Sequence, residues 1–134
     1  MLGGREWVID ASGCDPARLA DISTLRALFA RLIALLELRP VADAQWHSFP
    51  AAGHAQGGIT GLCLLAESHL TVHTFPEHGT LCLNLFCCRA RPDWDVAREL
   101  RPFIAATGFA VSVRCIDRSF VAARASRQAP AVKR

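Results

Sequence analysis

Imidazole, hydroxyl and aromatic side chains recur at alternate positions in one stretch, Ala66-Glu67-Ser68-His69-Leu70-Thr71-Val72-His73-Thr74-Phe75-Pro76-Glu77-His78-Gly79. If residues 69–75 form a strand, a period of two puts His69, Thr71, His73 and Phe75 on one face. Leu70, Val72 and Thr74 take the other, which is the more apolar and suits packing on helices. The first face collects side chains that take and give protons, beside an aromatic ring. That pattern leaves two readings open, a binding surface and a polar solvent face with incidental histidines. Six cysteines (Cys14, Cys63, Cys82, Cys87, Cys88 and Cys115) add a third chemistry. A metal site of His69, His73, His78, Cys82, Cys87 and Cys88 lacks a Cys-x-x-Cys pair, and alternation splits Cys87 from Cys88 across a sheet.

The elements that must position these groups are readable from pattern. Trp7-Val8-Ile9-Asp10-Ala11 is β-prone. Asp15-Pro16 reads as an N-cap with proline at the first helical position. Leu19, Ile22, Leu25, Phe29, Leu32, Ile33 and Leu36 then follow at spacings of three and four, predicting one amphipathic helix that Pro40 ends. A weaker extended segment over 44–49 leads into the loop 50–58. Three strands are expected at 59–66, 69–75 and 81–88, with a turn at Pro76-Glu77-His78-Gly79. Residues 93–107 read as a second helix that Pro102 should kink, with Gly108 as its C′ residue. Residues 109–116 alternate like a last strand. The order β-α-β-β-β-α-β predicts an α+β two-layer sandwich, a mainly antiparallel sheet with two helices on one face.

Composition limits the function classes. The chain has 134 residues, 51% hydrophobic and 20% charged, with a formal charge of +3, which suits a single domain, expected over 1–122. Several basic residues fall in the end segment 123–134, expected to be a mobile tail. Without a basic stripe interleaved with aromatics, nucleic acid is not an expected partner. Met1-Leu2-Gly3-Gly4-Arg5-Glu6 lacks the apolar core of a signal peptide, and no apolar run approaches the roughly 20 residues that span a bilayer. A cytoplasmic location with reduced thiols and no membrane partner is therefore expected. Most of the cysteines then read as small core residues.

Glu67-Ser68-His69-Leu70-Thr71-Val72-His73-Thr74-Phe75-Pro76-Glu77 resembles the signature of the prokaryotic S-adenosylmethionine decarboxylase proenzymes, in which a Glu-Ser bond is cut by the protein itself. Weaker likeness extends along the chain, through Gly4-Arg5, Cys14-Asp15, Gly58-Ile59-Thr60-Gly61 and Phe86-Cys87-Cys88. The resemblance implies that Ser68 attacks the carbonyl of Glu67 in an N-to-O acyl shift. His73 would help to remove the Ser68 α-proton, with Thr60 assisting. Elimination and loss of ammonia would leave a pyruvoyl group at position 68, splitting the chain into 1–67 and 68–134. That group would serve as the cofactor, with no metal, through a Schiff base to the α-amine of the substrate. Cys88 would deliver the proton that replaces carbon dioxide. Alternation favours it over Cys87, which shares a face with Leu83 and Leu85. Phe75 and, more loosely, Phe49 would stack on adenine, and Glu77 would bind the ribose hydroxyls.

By the same resemblance the product is decarboxylated S-adenosylmethionine for spermidine synthesis, made by a homodimer of processed protomers with the active site near the interface. Ser68 and His73 differ by an odd number of positions and would face opposite ways in an unbroken strand, so a bend is expected at Glu67-Ser68. Asn84 stands where the family pattern has aspartate. That departure leaves room for a pyruvoyl decarboxylase of ornithine or arginine on the same fold. An unprocessed or inactive regulatory subunit is a further reading.

Overall fold

The computed structural model describes residues 3–53, 56–66 and 68–119. Six strands form one sheet: β1 (Gly3–Cys14), β2 (Gln45–Ser48), β3 (Ile59–Leu65), β4 (Ser68–Phe75), β5 (Thr80–Cys87) and β6 (Ala105–Ser119). Their order is β2-β3-β4-β5-β1-β6, antiparallel throughout. Three helices, α1 (Pro16–Leu19), α2 (Ile22–Leu35) and α3 (Val96–Ile104), complete the expected α+β architecture. Among the described residues no helix is long and apolar enough to cross a membrane.

Alternation decides which sheet face is covered. Ile9, Leu70, Val72, Leu83 and Leu85 are buried against Leu25, Leu28, Leu32, Leu100 and Ile104 of the helices, in one core. Thr74 is the buried polar residue of that face, and it is satisfied. Its hydroxyl donates to the Leu19 carbonyl at 2.8 Å and accepts from the Ile59 N–H at 2.9 Å. A single side chain thereby ties α1 to β3 and β4, sparing the core an unpaired polar group.

Two expectations are corrected, and a weak one is borne out. The first helix is two, broken at Ala20-Asp21, because the Asp21 carboxylate accepts from the Ser23 N–H and the Thr24 hydroxyl and so caps a new helix. The weak segment over 44–49 contains a true edge strand, β2. Trp46 anchors it by packing its ring 4.8 Å from that of Phe29. The second helix runs only from Val96 to Ile104, capped by the Asp95 side chain and with Pro102 inside it. Ala105 is already extended and pairs with Cys14, so Gly108 is not a C′ residue but lies within β6, at φ 81°. Pairing with β1 outweighs the helical pattern there.

Candidate active site

Ser68 is the first residue of β4 and pairs with Leu65, the last of β3, so the chain reverses within two positions. Glu67, the other half of the expected scissile bond, lies outside the described residues, as does the tail from residue 120. Two backbone contacts hold the near side of this turn. The Ala66 N–H donates to the Arg39 carbonyl at 2.8 Å, and the Val41 N–H donates to that of Leu64 at 3.0 Å. The Ser68 hydroxyl is half-buried and donates to the Ala66 carbonyl at 3.4 Å. That carbonyl belongs to the peptide one residue before the one an acyl shift would rearrange. The bend expected at Glu67-Ser68 falls partly outside the described residues; from Leu70 on, β4 keeps its alternation.

Cys88 follows directly on β5 and is half-buried. Ser68, Cys87 and Cys88 line one small cavity of about 10 Å³ with Arg39, Arg89 and Arg91. That is room for about one water molecule. Cys87 is fully buried, and burial pushes its thiol up against an opposing pull from neighbouring Arg91. Gly4 lets β1 pass close by, since a Cβ there would sit 2.5 Å from the Cys87 carbonyl oxygen. Nothing in the sequence pattern singled out these arginines. The only signal was the run Cys87-Cys88-Arg89-Ala90-Arg91, whose charges follow two thiols.

The remaining site residues gather at the other end of β4. Thr60 pairs with His73 across β3 and β4, and its hydroxyl is 3.0 Å from His73 Nδ1. Thr60, His73, Phe75, Glu77 and Phe49 line a cavity of about 410 Å³ with Pro50 and Gly58. Phe75 and Phe49 are exposed, at 40% and 52%, and the Phe49 ring meets His47 edge-on, with centroids 4.6 Å apart. Five steps along the strand separate Ser68 from His73, roughly 17 Å at about 3.3 Å each. Ser68 shares the helix-side parity of Leu70 and Val72, whereas His73 is on the open face. Within one chain the structure does not bring them together.

Between the two ends, the open face carries a chain of polar contacts over four strands. His69 Nε2 donates to Asn84 Oδ1 at 2.8 Å, and Asn84 Nδ2 donates to Glu6 at 3.0 Å. Arg118 in turn donates to Glu6 at 3.0 Å. Position 84 thus reads one neighbour as a donor and the other as an acceptor. An amide does both, which a carboxylate cannot. These contacts suit asparagine at position 84, and Glu6 places a carboxylate on the same face. Among the described residues no group of three His, Cys, Asp or Glu side chains could hold a metal ion.

Sequence comparison extends the likeness beyond these residues. The profile of the family described as S-adenosylmethionine decarboxylase matches residues 5–119. S-adenosylmethionine decarboxylase proenzyme 2 of Halalkalibacterium halodurans is 40% identical over 96 residues, 70% of this chain and 69% of that one. The S-adenosylmethionine decarboxylase proenzyme of Pyrococcus furiosus is 32% identical over 94 residues, 70% of this chain and 63% of that one. The crystal structure of the adenosylmethionine decarboxylase of Aquifex aeolicus shares the fold, with a TM-score of 0.62 at 20% identity, over 84% of this chain and 89% of that one. A profile match across nearly all the described residues, over a sheet that sets Ser68 at the head of a strand, leaves one conclusion: the chain belongs to the S-adenosylmethionine decarboxylase family.

Proposed function

We propose that the protein is a self-processing decarboxylase that converts S-adenosylmethionine to its decarboxylated form and carbon dioxide, for spermidine synthesis. The relatives named above carry S-adenosylmethionine in their names, which favours that substrate over ornithine or arginine. The cofactor is a pyruvoyl group made from Ser68, at a position that suits it: the head of a strand, beside a thiol and against the turn peptide. Such a group supplies an amine-trapping ketone and a sink for the electrons released with carbon dioxide.

Processing is the work of the chain's own side chains. The Ser68 hydroxyl attacks the preceding carbonyl, the peptide C–N bond breaks, and an ester and a free amine replace it. A base must then take the Ser68 α-proton so that the ester carboxylate can leave. Held by Thr60, His73 is oriented for this. Cys88 gives its proton to the substrate carbon from which carbon dioxide departs. Phe75 and Phe49 stack on adenine, and Glu77 accepts from the ribose hydroxyls.

The observation that carries the reading is the division of these groups between the two ends and the two faces of β4. Roughly 17 Å of strand is too far for a proton transfer. The working site therefore joins Ser68 and Cys88 of one protomer to the partner's His73, Thr60 and Glu77, in a homodimer of processed chains. Intact mass spectrometry tests the first half: wild-type protein should show two fragments, and Ser68→Ala one. Mixing tests the second. Neither Ser68→Ala nor His73→Ala should cut alone, whereas co-expressed chains should cut the His73→Ala protomer. Absence of that rescue, with wild-type protein cutting normally, would place each site within a single chain.

A further inference from the structure

The cavities that meet at Cys88 carry positive charge that the proposed chemistry does not use. The smaller one, holding Ser68, has Arg39, Arg89 and Arg91 on its wall. The larger, about 610 Å³, shares Cys88, Arg89 and Arg91 with it and continues to Arg5 and Arg118. Arg5 is engaged by Asp93 and Asp117, and Arg118 by Glu6. Arg39, Arg89 and Arg91 form no ion pair among the described residues. Of these, Arg91 is the one the fold holds in place. It stands against the Cys87 thiol, and its terminal nitrogen donates to the Glu37 carbonyl at 3.4 Å. Its Nε is buried and has no acceptor among the described residues.

A buried guanidinium donor without an acceptor costs stability unless a ligand completes it. We propose that Arg91, with Arg89 beside it, forms the anion subsite that takes the α-carboxylate of the substrate. This rests on the decarboxylase reading given above. Cys88 delivers its proton to the carbon that loses carbon dioxide, so the departing carboxylate is one bond from that carbon. It must lie where the walls of Ser68 and Cys88 meet, and Arg91 lines both cavities there. Guanidinium groups match carboxylates in shape as well as in charge. Asp117 of the larger cavity is already taken by Arg5.

The proposal fixes a kinetic signature. The negative charge that Arg91 holds in the bound substrate leaves with carbon dioxide, so the contact is stronger before the transition state than in it. Removing it should weaken binding without slowing the chemical step. Arg91→Met is expected to cut itself, to raise KM for S-adenosylmethionine about 10-fold or more, and to leave kcat within about threefold of wild type. Calorimetry supplies a second readout. S-adenosylhomocysteine, which keeps the carboxylate, should bind about 10-fold more weakly to the variant. Methylthioadenosine, which lacks the amino-acid tail, should bind equally to both proteins. If Arg91→Met remains uncut, Arg91→Lys is read instead, and it should cut and show a smaller rise in KM. Unchanged KM, equal loss for both ligands, or failure of both variants to cut would overturn the subsite. Failure of wild-type protein to cut or to release carbon dioxide would instead overturn the decarboxylase reading.

Discussion

Replacing Asn84 by aspartate restores the family's expected residue, yet the structure predicts that it harms this protein. Asn84 Nδ2 is 3.0 Å from the Glu6 carboxylate, so the variant sets two carboxylates side by side. Charges about 4 Å apart repel by about 4 kcal/mol at an effective dielectric of 20. Both side chains are partly solvated, and Arg118 already neutralises part of the Glu6 charge. Those factors reduce the net repulsion to about 1 kcal/mol, and the lost hydrogen bond adds about 1 kcal/mol more. Asn84→Asp should therefore unfold at a urea midpoint lower by about 1 M at neutral pH, for an m-value of about 2 kcal/mol/M. Adding Glu6→Gln to the same chain should restore most of the loss, since the amide it introduces can donate to the new carboxylate. The double-mutant cycle should then give a coupling of at least about 1 kcal/mol. Were Asn84→Asp as stable as wild type, or its loss unaffected by Glu6→Gln, the polar chain across the sheet would not be what selects asparagine.

Two other outcomes follow from local geometry. Thr60→Val removes the hydroxyl 3.0 Å from His73, and it should slow self-cleavage by about 10- to 100-fold with little change in urea midpoint, followed as the uncut fraction over time. Arg31 donates to Glu99 at 2.9 Å and holds that carboxyl below its ordinary value. A depressed carboxyl contributes stability that is present above its unfolded value and is lost as pH falls through the folded one. The deficit of Glu99→Gln should thus be clear at pH 7 and vanish between about pH 5 and pH 3 in urea titrations.

Much of the fold was legible because one buried face leaves a period-two record. Leu70, Val72 and Thr74 on β4, and Leu81, Leu83, Leu85 and Cys87 on β5, are buried as their alternation required. What escaped was set by partners distant in sequence. The extended segment over 44–49 was legible, but not what anchors it, since Trp46 finds Phe29 only in the folded chain. Ala105 looks helical until Cys14 is beside it. The arginine cluster was invisible for the same reason. Arg39 arrives after α2 and Arg91 after β5, so no spacing rule joins them.

Parity in β4 is where sequence and structure bear most directly on mechanism. The odd separation of Ser68 and His73 could have been erased by a bulge or by a strand that began later. Instead β4 pairs in register with both neighbours from His69 to His73, and every residue between holds its face. Five residues of regular strand thus convert a mismatch of parity into a separation in space. A protein of this size cannot fold that distance away without unzipping the centre of its own sheet, where Leu70 and Val72 are wholly buried. Dimerisation meets the same need with no such loss. Two copies placing opposite ends of β4 together would leave each core intact while bringing a base to the serine. On the proposed roles of Ser68 and His73, the regularity of the strand is the argument for a second chain.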